Sequence, residues 1–144
     1  MVDRAAKLLL AFPQFRVDDV VRTAEHYRDV LGFEIDGYFG DPPVFTHVHR
    51  DHVVIQIGRS LRRDSLSRSA GPEGYNAYIW TDDVDALAQE LRARGATIVQ
   101  GPLNRVYPCR ELIVEDCNGL ILCFAKRIPA SETAPPEEEE EPAE

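Results

Sequence analysis

The chain has 144 residues, 44% of them hydrophobic, which is enough for one domain with a real core and too few for two of ordinary size. Its formal charge of −9 is concentrated at one end: residues 131–144 hold seven glutamates, and without them 18 acidic residues face 16 basic ones, a net of −2. So even a balance excludes the clustered basic surface that DNA or RNA backbones demand, and three cysteines, Cys109, Cys117 and Cys123, with no CxxC pair argue against both a disulfide framework and a cysteine-rich zinc site.

In chain order, Leu8-Leu9-Leu10-Ala11-Phe12 is too short for a signal-peptide core or a membrane span and is stopped by Pro13. Together with unpaired cysteines it points to a cytoplasmic protein with no membrane partner. Residues 8–17 predict a first strand, buried on one face and open late at Gln14 and Arg16. A helix follows, capped by Asp18 or Asp19, with Val20, Ala24, Tyr27 and Leu31 on one face and Gly32 at its left-handed end. Strands are expected at 33–38, 44–49 and 53–57.

The same order then repeats. Asp82-Asp83-Val84 matches Asp18-Asp19-Val20 at an offset of 64, Ala88 matches Ala24, Arg92 matches Arg28, and Gly95 matches Gly32 after one deletion. A strand at 75–80 precedes a helix with the stripe Val84, Leu87, Ala88 and Leu91, and strands at 97–100, 110–114 and 120–124 follow, the last two joined by a tight turn at 116–119. The expectation is an α+β fold of two βαβββ modules, residues 8–58 and 75–126, within a single domain of residues 1–126. Duplicated modules usually build their cleft where the copies meet.

Between them, residues 59–74 carry Arg59, Arg62, Arg63 and Arg68 among serines and glycines. They read as a mobile crossover, either a solvated linker or a basic loop that closes over an anionic ligand. Residues 127–144, with Pro135, Pro136 and the run Glu137 to Glu141, read as a disordered acidic tail.

The phrase Tyr27-Arg28-Asp29-Val30-Leu31-Gly32-Phe33, the turn Glu115-Asp116-Cys117-Asn118-Gly119 and the two βαβββ modules together resemble the glyoxalase/bleomycin-resistance/dioxygenase (vicinal oxygen chelate) superfamily. The resemblance implies that the strands curl into a mixed-sheet half-barrel around a cleft. It also implies where enzymatic members hold a divalent metal: Phe12, Gln56, Asn76 and Cys123. Phenylalanine cannot ligate, the two amides are weak ligands, and one thiol is too few, so no metal or other cofactor is expected there.

Within the superfamily the chain is most similar to bleomycin-resistance proteins, through Ala11-Phe12-Pro13, Phe45, Arg50-Asp51, Ala77-Tyr78-Ile79-Trp80 and Arg110-Glu111-Leu112. That similarity implies a metal-free protein that sequesters an aromatic or antibiotic-like small molecule, and a homodimer that exchanges its first strand at Pro13. Asn76, Tyr78 and Trp80 alternate along one strand and are expected to face the cleft, with Phe45 as a second apolar wall and His47, Gln56 and Arg110 as polar edges. Two alternatives stand beside these roles: Tyr78 and Trp80 as ordinary half-buried sheet residues, and Arg110 paired with Glu111 or Glu115. Arg16, Arg105 and Arg110 near the opening suit a neutral or anionic aromatic ligand at least as well as a cationic one. The competing function is a metal-dependent lyase, isomerase or dioxygenase whose displaced site uses His47, His49 and Glu111.

Overall fold

A computed structural model describes residues 4–136. Each module contributes one helix and one four-stranded mixed sheet. The first contains β1 (Gln14–Val17), α1 (Val20–Asp29), β2 (Glu34–Phe39), β3 (Phe45–Arg50) and β4 (Val53–Arg59). In the second are β5 (Ala77–Trp80), α2 (Val84–Ala93), β6 (Thr97–Asn104), β7 (Cys109–Glu115) and β8 (Ile121–Arg127). Strand order is β1-β4-β3-β2 in one sheet and β5-β8-β7-β6 in the other. The outer pairs β1/β4 and β5/β8 are parallel and the rest antiparallel. The duplication seen in sequence is therefore a duplication of topology, expressed as two four-stranded mixed sheets that do not close.

Helix formation follows from the repeated Asp-Asp-Val. Asp19 accepts a hydrogen bond from the Arg22 amide at 3.0 Å, and Asp83 accepts one from the Ala86 amide at 3.0 Å. Each satisfies a backbone donor that the first turn leaves orphaned. Val20, Ala24 and Tyr27 on α1, and Val84, Ala88 and Leu91 on α2, are buried against their sheets. One continuous core includes these residues together with Ile55, Ile57, Val48, Leu112, Val114, Leu122 and Phe124 from both sheets.

Polar contacts close the seam between modules. The Tyr27 hydroxyl donates to Asp116 Oδ2 at 2.7 Å, Asn118 Nδ2 donates to Thr23 Oγ1 at 2.9 Å, and Arg50 grips Glu90 with two bonds of 2.8 and 2.7 Å. Because the helices and inner sheet faces are used up in this core, the opposite face of each sheet is left to do something else.

Four expectations are corrected. The first strand begins at Gln14, not residue 8: Pro13 still accepts from the Gln56 amide at 3.0 Å, but Leu8, Leu9 and Leu10 are 100%, 85% and 81% exposed. Among the described residues, no strand lies beside them to complete the ladder. Strand β6 runs to Asn104, continuing past Gly101, whose φ of +94° lets the strand bulge. The crossover is docked on β1, because the Arg16 amide donates to Ser67 Oγ at 2.7 Å and the Ser67 amide donates to the Arg16 carbonyl at 2.9 Å.

The tail, expected to be disordered from residue 127, is structured as far as Pro136. Arg127 ends β8, residues Ala130–Glu132 form a 3-10 turn, Asn104 Nδ2 donates to the Glu132 carbonyl at 2.8 Å, and the Ala134 amide donates to the Arg105 carbonyl at 2.7 Å. The remaining glutamate run lies outside the described residues. Among those described, no helix is long and apolar enough to cross a membrane.

Candidate functional site

Strand parity decides what the open face of the second sheet presents. Leu112 and Val114 of β7 and Leu122 and Phe124 of β8 enter the core, so Cys109, Glu111 and Ile113, with Ile121, Cys123 and Ala125, occupy the other side. Ile113, Ile121 and Cys123 form a small apolar cluster of their own there. Tyr78 is in register with Cys123 and Trp80 with Ala125, which brings both aromatics onto the same face.

The aromatic side chains form a ladder. Ring centroids of Tyr75 and Tyr78 are 5.7 Å apart, and those of Tyr78 and Trp80 are 5.3 Å apart in an edge-to-face arrangement. Tyr75, Tyr78, Trp80 and Tyr107 remain 37%, 39%, 50% and 42% exposed. Four partly open aromatics gathered on one sheet face are more than a scatter of surface residues and form the candidate binding face. At the end of the ladder the Arg127 guanidinium carbon lies 5.0 Å from the Trp80 ring centroid, within cation–π range.

Beneath the ladder Glu111 is completely buried. Its carboxylate accepts from Tyr78 at 2.5 Å, Arg105 Nε at 2.7 Å, Tyr107 at 2.8 Å and Tyr75 at 3.1 Å. Burial alone pushes the carboxyl up, but the bonds from Tyr78, Arg105, Tyr107 and Tyr75 outweigh it and hold the group below its usual value. The tyrosines answer in kind: burial first, then their contacts with Glu111, raise the Tyr78 and Tyr107 hydroxyls well above the ordinary range. Glu111 is thus a lasting anion, neutralised by Arg105, whose Nη2 also donates to Gln100 Oε1 at 3.1 Å. Beside this cage a recess of about 500 Å³ is lined by Tyr75, Leu103, Arg105, Tyr107, Pro72 and Pro136.

The residues singled out from sequence separate into three groups. Tyr78 and Trp80 stand on this face. Phe45, His47 and Gln56 share the corresponding face of the first sheet, where the Phe45 and His47 rings are 5.1 Å apart, His47 is in register with Gln56, and Gln14 donates to Gln56 at 3.3 Å. Asn76 and Arg110 are engaged elsewhere. Asn76 accepts from the Ala70 and Ile121 amides at 2.9 Å each and donates to the Arg68 carbonyl at 2.8 Å, so it pins the crossover to β8. Arg110 lies on the helix side, where Nη2 donates to Asp85 Oδ1 at 2.9 Å and Nη1 to Asn104 Oδ1 at 2.9 Å. It pairs with neither Glu111 nor Glu115.

The family-type metal positions fare no better as a donor set. Phe12 offers no donor, the Asn76 oxygen already accepts two hydrogen bonds, and Gln56 holds Gln14. Cys123 is fully buried, and burial followed by the charge of Glu111 pushes its thiol up to about 12, away from the thiolate that a metal requires. A divalent ion does not fit this set. Nor does the displaced alternative converge: His47 and His49 belong to the first sheet and Glu111 to the second, and His49 lies between Asp36 at 2.6 Å and Glu34 at 3.2 Å. Among the described residues, no group of three or more His, Cys, Asp or Glu is placed to hold a metal ion.

Sequence reading had Arg105 only as a rim charge and Glu111 only as a partner or stray ligand, and it gave no role to Tyr75 or Tyr107. The available signal was the position of Glu111 inside the apolar run that continues Leu112-Ile113-Val114, since a carboxylate so placed needs several partners.

Comparison with known proteins follows the same lines. A sequence model of the Glyoxalase/Bleomycin resistance protein/Dioxygenase superfamily matches residues 9–124. Among solved structures, the bleomycin-binding protein from bleomycin-producing Streptomyces verticillus, complexed with copper(II)-bleomycin, is 27% identical, with a TM-score of 0.59 and coverage of 83% of this chain and 97% of that one. TioX from Micromonospora sp. ML1 is 20% identical with a TM-score of 0.62, covering 80% and 95%. A glyoxalase/bleomycin resistance protein/dioxygenase from Nocardioides is 15% identical with a TM-score of 0.66, covering 94% and 93%. The last two show likeness of fold alone.

Proposed function

The chain belongs to the Glyoxalase/Bleomycin resistance protein/Dioxygenase superfamily, and from that membership we propose that it is a metal-free binding protein that sequesters an aromatic or antibiotic-like small molecule without altering it. The observation that carries this reading is the partly open ladder Tyr75, Tyr78 and Trp80 on a sheet face that the core does not use. Aromatic faces held rigid by a buried carboxylate bind a planar ligand with little ordering cost. The poor fit of a metal to Phe12, Gln56, Asn76 and Cys123 supports binding over Lewis-acid catalysis, and the 27% identity to a bleomycin-binding protein favours the same side.

The working unit is a homodimer, in which the exposed Leu8, Leu9 and Leu10 leave their own sheet at Pro13 and add to the partner's. Phe45, His47 and Gln56 of one protomer then become available to complete a cleft with the aromatic face of the other. We place it in the cytoplasm, in keeping with three free cysteines.

Trp80 is the sole tryptophan, so its emission reports occupancy of the face directly. Titration with bleomycin, with and without copper(II), and with a panel of planar aromatics is expected to give saturable quenching, with the ligand recovered unchanged by mass spectrometry. Native mass spectrometry of the same preparation is expected to give a dimer without stoichiometric divalent metal. A tightly held nickel, zinc or iron ion, a chemically altered ligand, or no saturable binding across the panel would overturn the reading.

A further inference from the structure

Counting hydrogens on the Glu111 cage gives the open face a polarity that its composition hides. A phenol has one O–H to donate and lone pairs to accept, whereas an ionised carboxylate only accepts. Tyr75, Tyr78 and Tyr107 all reach Glu111, and Tyr75 and Tyr107 also reach each other, so the three protons are spent within the cage. What remains on their oxygens is lone pairs. Glu111 keeps the protons there by staying ionised, since Arg105 and the three hydroxyls favour the anion against its burial.

The charge of Arg105 is matched by Glu111. Arg105 gives Nε to Glu111 and Nη2 to Gln100, and its side chain is only 19% exposed. Of the other two arginines that favoured an anionic ligand, Arg110 is on the helix side with Asp85 and Arg16 belongs to β1 of the first sheet. The ring faces share the same preference, since the quadrupole of an aromatic is negative over its face, and the chain itself sets Arg127 over Trp80. Access is open: Tyr75 and Tyr107 both line the recess of about 500 Å³.

We propose that Glu111 is a positioning residue that fixes the hydroxyls of Tyr75 and Tyr107 as acceptors, so that the site selects planar ligands presenting N–H donors over isosteres presenting acceptors. The inference rests on the binding role proposed above and reverses the neutral-or-anionic preference read from the arginines. Selection here is by hydrogen-bond polarity rather than by net charge, so it acts on neutral ligands as well.

The test uses two uncharged bicyclic probes, indole and benzofuran, which differ in a ring N–H against a ring oxygen. Dissociation constants come from NMR titration of the full-length protein. Indole is expected to bind about fivefold more tightly, the discrimination that one net hydrogen bond provides. Tyr107→Phe removes an acceptor and is expected to weaken indole while leaving benzofuran unchanged. Glu111→Gln supplies an amide that donates, frees hydroxyl protons to turn outward, and is expected to erase the preference; Tyr75→Phe serves as the second acceptor-removing variant if Glu111→Gln does not fold. Equal affinity of the two probes for the wild-type protein overturns the inference while leaving the binding role standing. Saturable binding of neither probe overturns the inference, and if the wider aromatic panel also fails, the binding role falls with it.

Discussion

Tyr27→Phe isolates a single oxygen at the seam between the modules. Tyr27 is fully buried, its ring is 5.6 Å from that of Phe33 in an edge-to-face contact, and its hydroxyl donates to Asp116 Oδ2 at 2.7 Å. Phenylalanine keeps the ring and its packing. Asp116 keeps the Asn118 and Leu120 amides on Oδ1, at 2.8 and 2.9 Å, but Oδ2 loses its donor in a site only 6% exposed. A hydrogen bond to a charged, buried partner contributes roughly 1.5–3 kcal/mol, so the expected loss is about 2 kcal/mol. With an m-value of about 1–3 kcal/mol/M, the urea midpoint falls by about 1 M, read by circular dichroism at one fixed protein concentration. The pH dependence gives a second handle. Burial, then the charge of Asp116, raises the Tyr27 hydroxyl well above its ordinary value of 10.0. A raised folded-state value contributes stability in full below pH 10, and that contribution drains away as pH rises further, because the unfolded chain releases the proton first. The gap between wild type and Tyr27→Phe should therefore narrow above pH 10. A loss under 0.5 kcal/mol, or a gap constant from pH 8 to 11, would refute this account of the seam.

Asp19→Ala and Asp83→Ala are each expected to cost about 1 kcal/mol in thermal unfolding, because both caps accept one amide at 3.0 Å, and the double variant should lose about the sum, the two sites lying in different modules. One cap proving silent would break the equivalence of the two copies. Gly101→Ala is expected to cost about 2 kcal/mol or more: φ there is +94°, and a Cβ would collide with the carbonyl oxygen of Glu111 on the facing strand. An alanine variant with unchanged melting temperature would show that the bulge adapts without strain.

The fold was legible because the caps, helical stripes and terminal glycines occur twice, and each copy confirms the other's spacing. Where the sequence misled, the missing information was a neighbour. Leu8-Leu9-Leu10-Ala11-Phe12 has strand composition, but pairing needs a second backbone, and within one chain the ladder finds β4 only from Pro13 onward. Gly101-Pro102 reads as a strand end, yet the bulge lets β6 carry on to Asn104. Likewise residues 127–136 look featureless until Asn104 and Arg105 are there to bond them.

The site was half legible for a more specific reason. Asn76 was misjudged because a side chain that points along the chain's own crossover leaves no mark in periodicity. Arg110 and Glu111 were misjudged by parity. Strand assignments of this kind rely on apolar residues alternating with polar ones, but Leu112-Ile113-Val114 is apolar throughout, since Ile113 joins Ile121 and Cys123 on the open face while its neighbours fill the core. The alternation that would have fixed the faces is erased at the place where the site is built. Reading β7 one residue out of phase puts an arginine on the binding face and sends the glutamate inward. In the correct phase the face holds a buried anion with three phenol hydroxyls turned toward it, the arrangement from which the proposed preference for ligand donors follows.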